Sequence, residues 1–168
     1  MLSVESMESR LCLSVGTQVP AGSGVDSIAM GDVNGDQVAD IAVASHQNGK
    51  YQVAIYNGAG QADASLATGY APELLATIPD PFSPAAGPLD VALGDFTGDG
   101  ISELAISAKC SNKISVWTFQ QSAMAITNGP LNAPVTPISM GPLFTPAGLQ
   151  NAGGINVAAV SLAGNGVY

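Results

Sequence analysis

Laid on itself at an offset of 63 residues, the chain superimposes Ile28-Ala-Met-Gly-Asp-Val-Asn-Gly-Asp36 on Val91-Ala-Leu-Gly-Asp-Phe-Thr-Gly-Asp99. The correspondence continues: Asp40-Ile-Ala-Val answers Glu103-Leu-Ala-Ile, Lys50 answers Lys113, and Val53 to Tyr56 answers Val116 to Phe119. After a slip of one residue, Ala71-Pro72 and Ile78 fall on Ala133-Pro134 and Met140. A third copy opens at Gly154-Ile-Asn-Val-Ala-Ala and runs through Ser161 to Val167. A repeat of this kind is a structural unit that cannot bury its apolar face alone and stacks on the next copy to do so.

Within each unit the apolar and β-branched residues come in short runs: Ser27 to Met30, Ile41 to Ser45, Tyr51 to Tyr56 and Leu74 to Ile78, separated by Gly, Asn and Pro. Aromatic residues make up only 5% of the chain, so the core must be built from Val, Ile, Leu and Ala. Four short antiparallel strands per repeat, with the small residues Ala29, Ala92 and Ala158 in the first strand, suit a propeller blade packed near a crowded axis. The expected fold is all-β, a partial β-propeller of four-stranded antiparallel blades: two blades plus the start of a third. The blade units fall at about 20–82, 83–146 and a truncated 147–168, with Asn57 to Tyr70 and Gln120 to Asn132 as loops between outer strands. A β-sandwich with two look-alike hairpins is the competing fold. Blades exposed at either end of such an array would associate with further blades or with another copy of the chain.

The net charge is −9, and Asp26, Asp32, Asp36, Asp40, Asp90, Asp95, Asp99 and Glu103 concentrate the acidity in two short windows. Four basic residues, Arg10, Lys50, Lys109 and Lys113, are too few to neutralise a phosphate backbone, so no nucleic-acid partner is expected. Anionic membranes are disfavoured for the same reason, and no apolar run is long enough for membrane insertion as a helix. Cys12 and Cys110 have no further Cys or His at ligand spacing, which argues against zinc and leaves one disulfide or two thiols open.

The two acidic windows have the form of a cation loop, in which oxygen-bearing residues alternate with glycine at the sharp bend. Asp32, Asn34 and Asp36 supply side-chain oxygens at positions one, three and five, Val38 a backbone carbonyl, and Asp40 a closing carboxylate. In the second window Asp95, Thr97 and Asp99 fill the odd positions, Ile101 offers its carbonyl, and Glu103 closes the loop with a longer arm. A twelve-residue EF-hand loop is excluded because its last ligand position would fall on Val43 and Ile106, both strand residues. The metal-free alternative is a set of Asx-turns, in which the same Asp and Asn side chains cap their own backbone.

The nine-residue pattern Asp-x-Asx-x-Asp-x-x-x-Asp running into a strand, with Gly-Asp-x-Asn-Gly-Asp at Gly31 to Asp36, resembles the FG-GAP/VCBS repeats of integrin alpha chains and of many secreted bacterial proteins. The resemblance covers roughly residues 13–168. It implies Ca²⁺ in the hairpin between the first two strands of each blade, held by Asp32, Asn34, Asp36, Val38 and Asp40, and by Asp95, Thr97, Asp99, Ile101 and Glu103. The chain departs from the family pattern at Gln37, which stands where glycine is usual, at Thr97, a weaker ligand, and at Glu103, so that the first loop has the better ligands. The third loop offers Ser161, Ala163 and Asn165 and no carboxylate, so two ions are expected.

Met1 to Ser14 forms an N-terminal tail in which Glu8-Ser-Arg-Leu-Cys-Leu-Ser14 is similar to a short motif of large bacterial surface or secreted proteins, departing from it at Met7 and Ser9. That similarity implies an extracellular or cell-surface location. No catalytic constellation is visible: His46 has no nucleophile in a recognisable elbow beside it and reads as a surface loop residue, and Trp117 and Tyr56 read as packing between blades. The expected function is a calcium-binding scaffold or adhesion module with a protein or carbohydrate ligand, not an enzyme. The alternative is a partial propeller of a larger extracellular enzyme such as a polysaccharide lyase.

Overall fold

A computed structural model of the chain describes residues 24–59, 61–62, 70–71, 73–82, 86–121, 135–142, 144–148 and 154–159. The expectations for the N-terminal tail, Cys12 and the third loop lie outside them.

The first sheet is built from β1 (Gly24–Gly31), β2 (Asp40–Gln47), β3 (Lys50–Tyr56) and β6 (Leu74–Pro79), in that order and all antiparallel. Between β3 and β6 a small ladder joins β4 (Gln61–Ala62) to β5 (Tyr70–Ala71), so the segment expected as a loop carries a minor hairpin of its own. The second sheet repeats the plan with β7 (Leu89–Gly94), β8 (Glu103–Ala108), β9 (Ile114–Gln121) and β10 (Val135–Ser139). Here the third strand runs to Gln121, past the Phe119 at which its sequence pattern ends. Neighbouring strands in each sheet follow chain order, which is the meander of a blade and not the crossed order of a sandwich. Asn48 (φ 52°) and Gly49 (φ 74°) turn β2 into β3, both left-handed as a two-residue hairpin requires.

Strand alternation gives each sheet two faces. Ala42, Ala44, Val53, Ile55, Ala76 and Ile78 of the first sheet meet Leu89, Val91, Leu93, Leu104 and Ile106 of the second in one shared core, joined by Phe119 and Val135. Ile55, Leu104 and Ile106 are fully buried there, each worth roughly 1.5–3 kcal/mol relative to exposure. The repeat also explains which apolar residues stay outside. Val91 and Leu93 are 4% and 7% exposed because the first sheet covers them, whereas their counterparts Ile28 and Met30 are 59% and 64% exposed, with no sheet before them among the described residues. Tyr56 closes a small separate cluster with Val43 and Ala54, and Trp117 packs against the shared core.

Residues 154–159, the start of the third copy, form no ladder but lie against the second sheet as that sheet lies against the first. Ser27 Oγ donates to Asp90 Oδ1 at 2.7 Å, and the N–H of Val157 donates to Asp90 Oδ2 at 2.9 Å, so one carboxylate ties three successive repeats together. Ser107 Oγ adds a bond to the carbonyl of Ile155.

Candidate metal centre

The turns between β1 and β2 and between β7 and β8 hold the two acidic windows, and the bonds made by their first and third acids and one bond of each closing acid correspond. The first acid of each loop gathers backbone donors: Asp32 Oδ1 accepts from Gly35 N–H at 2.6 Å and Oδ2 from Gln37 at 2.8 Å, while Asp95 Oδ1 accepts from Gly98 at 2.6 Å and Oδ2 from Gly100 at 2.9 Å. Asp36 Oδ1 takes the N–H of Val38, and Asp99 Oδ1 that of Ile101. The closing acids also share a task, because Asp40 Oδ2 accepts from Val33 and Glu103 Oε2 from Phe96. These are Asx-type turns: Asp32 Oδ1, Asp95 Oδ1 and Glu103 Oε2 each accept two amides, whereas Asp95 Oδ2, Asp99 Oδ1 and Glu103 Oε1 each accept one donor and keep a lone pair for a cation.

The loops differ in where the closing carboxylate goes. Asp40, short and fully buried, spends its other oxygen on the N–H of Gly58 at 3.0 Å. Glu103 is one methylene longer and equally buried. It reaches the N–H and hydroxyl of Thr97, at 3.2 and 3.0 Å, and lies over the loop. As a result Asp95, Asp99 and Glu103 bring ligand oxygens to within 4.8 Å of one another, and they form the only such acidic trio among the described residues. A Ca²⁺ ion bound at about 2.3–2.6 Å spans up to about 5 Å between opposite ligands, so this trio fits inside one coordination shell. In the first loop Asn34 Nδ2 donates to Asp36 Oδ2 at 3.2 Å and Asn34 Oδ1 accepts from the Asp36 N–H, but Asp32, Asp36 and Asp40 do not close to that spacing. Thr97 sits against Glu103, and Val38 and Ile101 are exposed and half-buried beside the third acid of their loops.

Burial pushes the Asp40 carboxyl up to about 6, and the Asp36 and Asp32 charges add to the rise against the pull of the Gly58 and Val33 amides. Asp95 moves the other way, held below the usual carboxylate range by the amide of Gly100 first and by those of Gly98, Asp99 and Thr97.

The bend glycines Gly35, Gly98 and Gly100 have φ of 77°, 80° and 86°, and Gln37 takes the matching place with φ 67°. A side chain in that conformation is strained by about 1–2 kcal/mol, part of which glycine would return through its greater unfolded-state freedom. Gln37→Gly is expected to raise stability by roughly 0.5–1 kcal/mol in urea unfolding; a loss of stability would show that the Gln37 side chain holds the loop.

Three features of this region escape sequence reasoning. Gly58 feeds Asp40 from a segment that reads only as loop, and its counterpart Gln121 gives no matching signal. Ser102 is 1% exposed and donates its N–H to the carbonyl of Asp32. His46 is a strand residue, not a loop residue: a bulge between Val25 and Ser27 turns Asp26 toward it, giving Nδ1 to Oδ1 at 2.8 Å, and its ring packs on Tyr51. Cys110 carries a free, exposed thiol.

Two four-stranded antiparallel sheets, each with an acidic turn between its first and second strands, define a repeat module of the propeller-blade class. Residues 32–106, which run from the first acidic turn into β8, match the family model described as FG-GAP-like repeat, and this stretch of the chain is an FG-GAP-like repeat. No curated protein and no solved structure matches the chain.

Proposed function

We propose that the chain is a calcium-binding FG-GAP repeat module of a secreted or cell-surface protein, acting as a non-catalytic scaffold or adhesion-type propeller for a protein or carbohydrate ligand. The observation that carries the calcium part is the Asp95, Asp99 and Glu103 trio with its oxygens inside one coordination shell. Hard cations take oxygen donors of this kind, and the family match adds the same expectation. The ion's role is structural. Three carboxylates in one short turn repel each other, and a divalent charge between them cancels the repulsion and fixes the turn that joins the inner strands of a blade. The adhesion part rests on the module class, and further blades or another copy of the chain would extend the surface that a ligand meets.

Calorimetric titration of the metal-stripped chain with Ca²⁺ is expected to show two sites, with Asp99→Ala removing one and Asp36→Ala the other. Absence of heat in the unsubstituted chain would reduce both loops to metal-free Asx-turns.

A further inference from the structure

The link from β6 to β7, which joins the two sheets, carries the one Asp-Pro pair in the sequence, Asp80-Pro81. The matching stretch of the second repeat, Gly141 to Phe144, has Pro142 in the place of Asp80 and no acid. Both sides of the Asp80–Pro81 peptide bond are anchored. Upstream, Pro79 stands opposite Gln52 in the ladder of β3 and β6, and the Asp80 N–H donates to the carbonyl of Tyr51 at 3.2 Å. Downstream, Phe82 packs against the shared core. Across the bond, the Phe82 N–H donates to Asp80 Oδ1 at 2.8 Å, so the ring closed by this hydrogen bond contains the Asp80–Pro81 peptide itself. Asp80 Oδ2 takes no hydrogen bond among the described residues. Burial raises the Asp80 carboxyl above its ordinary 3.8, against the pull of the Phe82 amide. The titratable residues of the strand beside it are Lys50 and Tyr51 of β3, with His46 one strand further on opposite Tyr51, and none of them contributes to that rise. Strand β10, which also lies against β6, carries no titratable residue.

We propose that Asp80-Pro81 is a self-cleavage site, at which the Asp80 carboxyl breaks its own peptide bond in mild acid and severs the link between the two sheets. Proline suits the leaving side, because its peptide nitrogen carries no hydrogen and departs as a secondary amine. The carboxyl is the nucleophile. Asp80 Oδ2 adds to the carbonyl carbon of Asp80, the C–N bond to Pro81 breaks, and the carboxyl proton passes to the Pro81 nitrogen. The products are a five-membered cyclic anhydride on Asp80 and a free Pro81 amine. One water then opens the anhydride into two carboxyl groups, the Asp80 side chain and a new C-terminus, so the net change is hydrolysis of one peptide bond. The step needs a proton and an oxygen in the same place. A half-buried carboxyl that keeps its proton above the ordinary range supplies the first, and the bond from Phe82 supplies the second by restricting the carboxyl beside the carbonyl it attacks. The two sheets stay packed on their shared core, so the cut removes the tether and keeps the contact. The reaction is a single turnover on the chain's own backbone and is independent of calcium.

The test is incubation of the full chain at about pH 4.5, folded and in denaturing urea, followed by denaturing electrophoresis and mass measurement. The folded chain is expected to yield fragments 1–80 and 81–168, with masses that sum to that of the chain plus one water. The rate should be independent of protein concentration and at least about 10-fold above that of the unfolded chain. Asp80→Asn and Pro81→Ala should both block the cut, with circular dichroism reporting whether each still folds. Comparison of the folded and unfolded chain needs no variant, and it decides the matter where a substitution unfolds the protein. Equal rates in the two states would reduce the cut to the ordinary acid lability of an Asp-Pro bond and overturn the role of the fold. Cleavage that persists in folded Asp80→Asn would assign it to an outside protease, and absence of fragments would overturn the proposal outright.

Discussion

Calcium at ~10 mM is expected to raise the melting temperature of the metal-stripped chain at neutral pH by roughly 6–20 °C. An extracellular-type site with a dissociation constant of about 10⁻⁴–10⁻³ M gains about 1.4–2.7 kcal/mol at that concentration, two loops together gain about 3–5 kcal/mol, and a domain of this size shifts by about 2–4 °C per kcal/mol. The shift should shrink on acidification, because the ion needs ionised carboxylates and Asp40 titrates at about 6. Without metal the trend reverses. A carboxyl whose folded value is raised from 3.8 to about 6 contributes stability that is fully present below 3.8 and is lost as pH rises through 6. The metal-free chain should therefore be more stable at pH 4.5 than at pH 7, by up to about 2 kcal/mol at 1.36 kcal/mol per pH unit between 4.5 and 6. Asp80, raised by burial, acts in the same sense, and Asp95, lowered by the Gly100 amide, loses its contribution only on the acid side of 3.8. Melting curves at pH 4.5 and 7, each with and without calcium, check both signs. Equal calcium shifts at the two pH values would remove Asp40 from the linkage, and no shift at either would remove the ion.

The parts of this structure that were legible in the sequence are those written twice. Ile28 to Asp36 and Val91 to Asp99 announce both the strand and the turn, and the apolar run Ile41 to Ser45, answered by Leu104 to Ala108, places the second strand of each sheet. The two ladders share one register in the structure, with the paired acids Asp40 and Glu103 opposite Gly31 and Gly94. The contacts between repeats were not legible, because they belong to one copy only. Ser102 corresponds to Ala39 and Gly58 to Gln121, so self-comparison hides them. The difference between Asp40 and Glu103 was visible as a letter, but its effect was not. Which loop draws its acids together depends on the reach of one methylene and on a glycine amide arriving from beyond β3.

That glycine gives the sharpest test of the packing. Gly58→Ala is expected to cost roughly 3 kcal/mol, the upper end for overpacking a well-filled site. The new Cβ would stand 1.8 Å from the carbonyl oxygen of Ala39 and 3.3 Å from the nitrogen of Asp40, so the segment after β3 must withdraw from the start of β2. Withdrawal also takes the Gly58 N–H away from Asp40 Oδ1, leaving a fully buried carboxylate with the Val33 amide alone on its other oxygen. The cost thus has a steric part and an electrostatic part, and the second depends on the charge of Asp40. In an Asp40→Asn background the lost bond is no longer to an ion, so the two substitutions should be less than additive, with an interaction of about 1 kcal/mol. Gly49→Ala serves as the reference, since its Cβ meets nothing and only the left-handed φ of 74° is at stake, costing about 1–2 kcal/mol. Urea unfolding of the four proteins and the double variant decides the matter. A Gly58→Ala cost no larger than that of Gly49→Ala would mean that β2 and the segment after β3 do not approach this closely, and strict additivity with Asp40→Asn would detach Gly58 from the acid it is drawn beside.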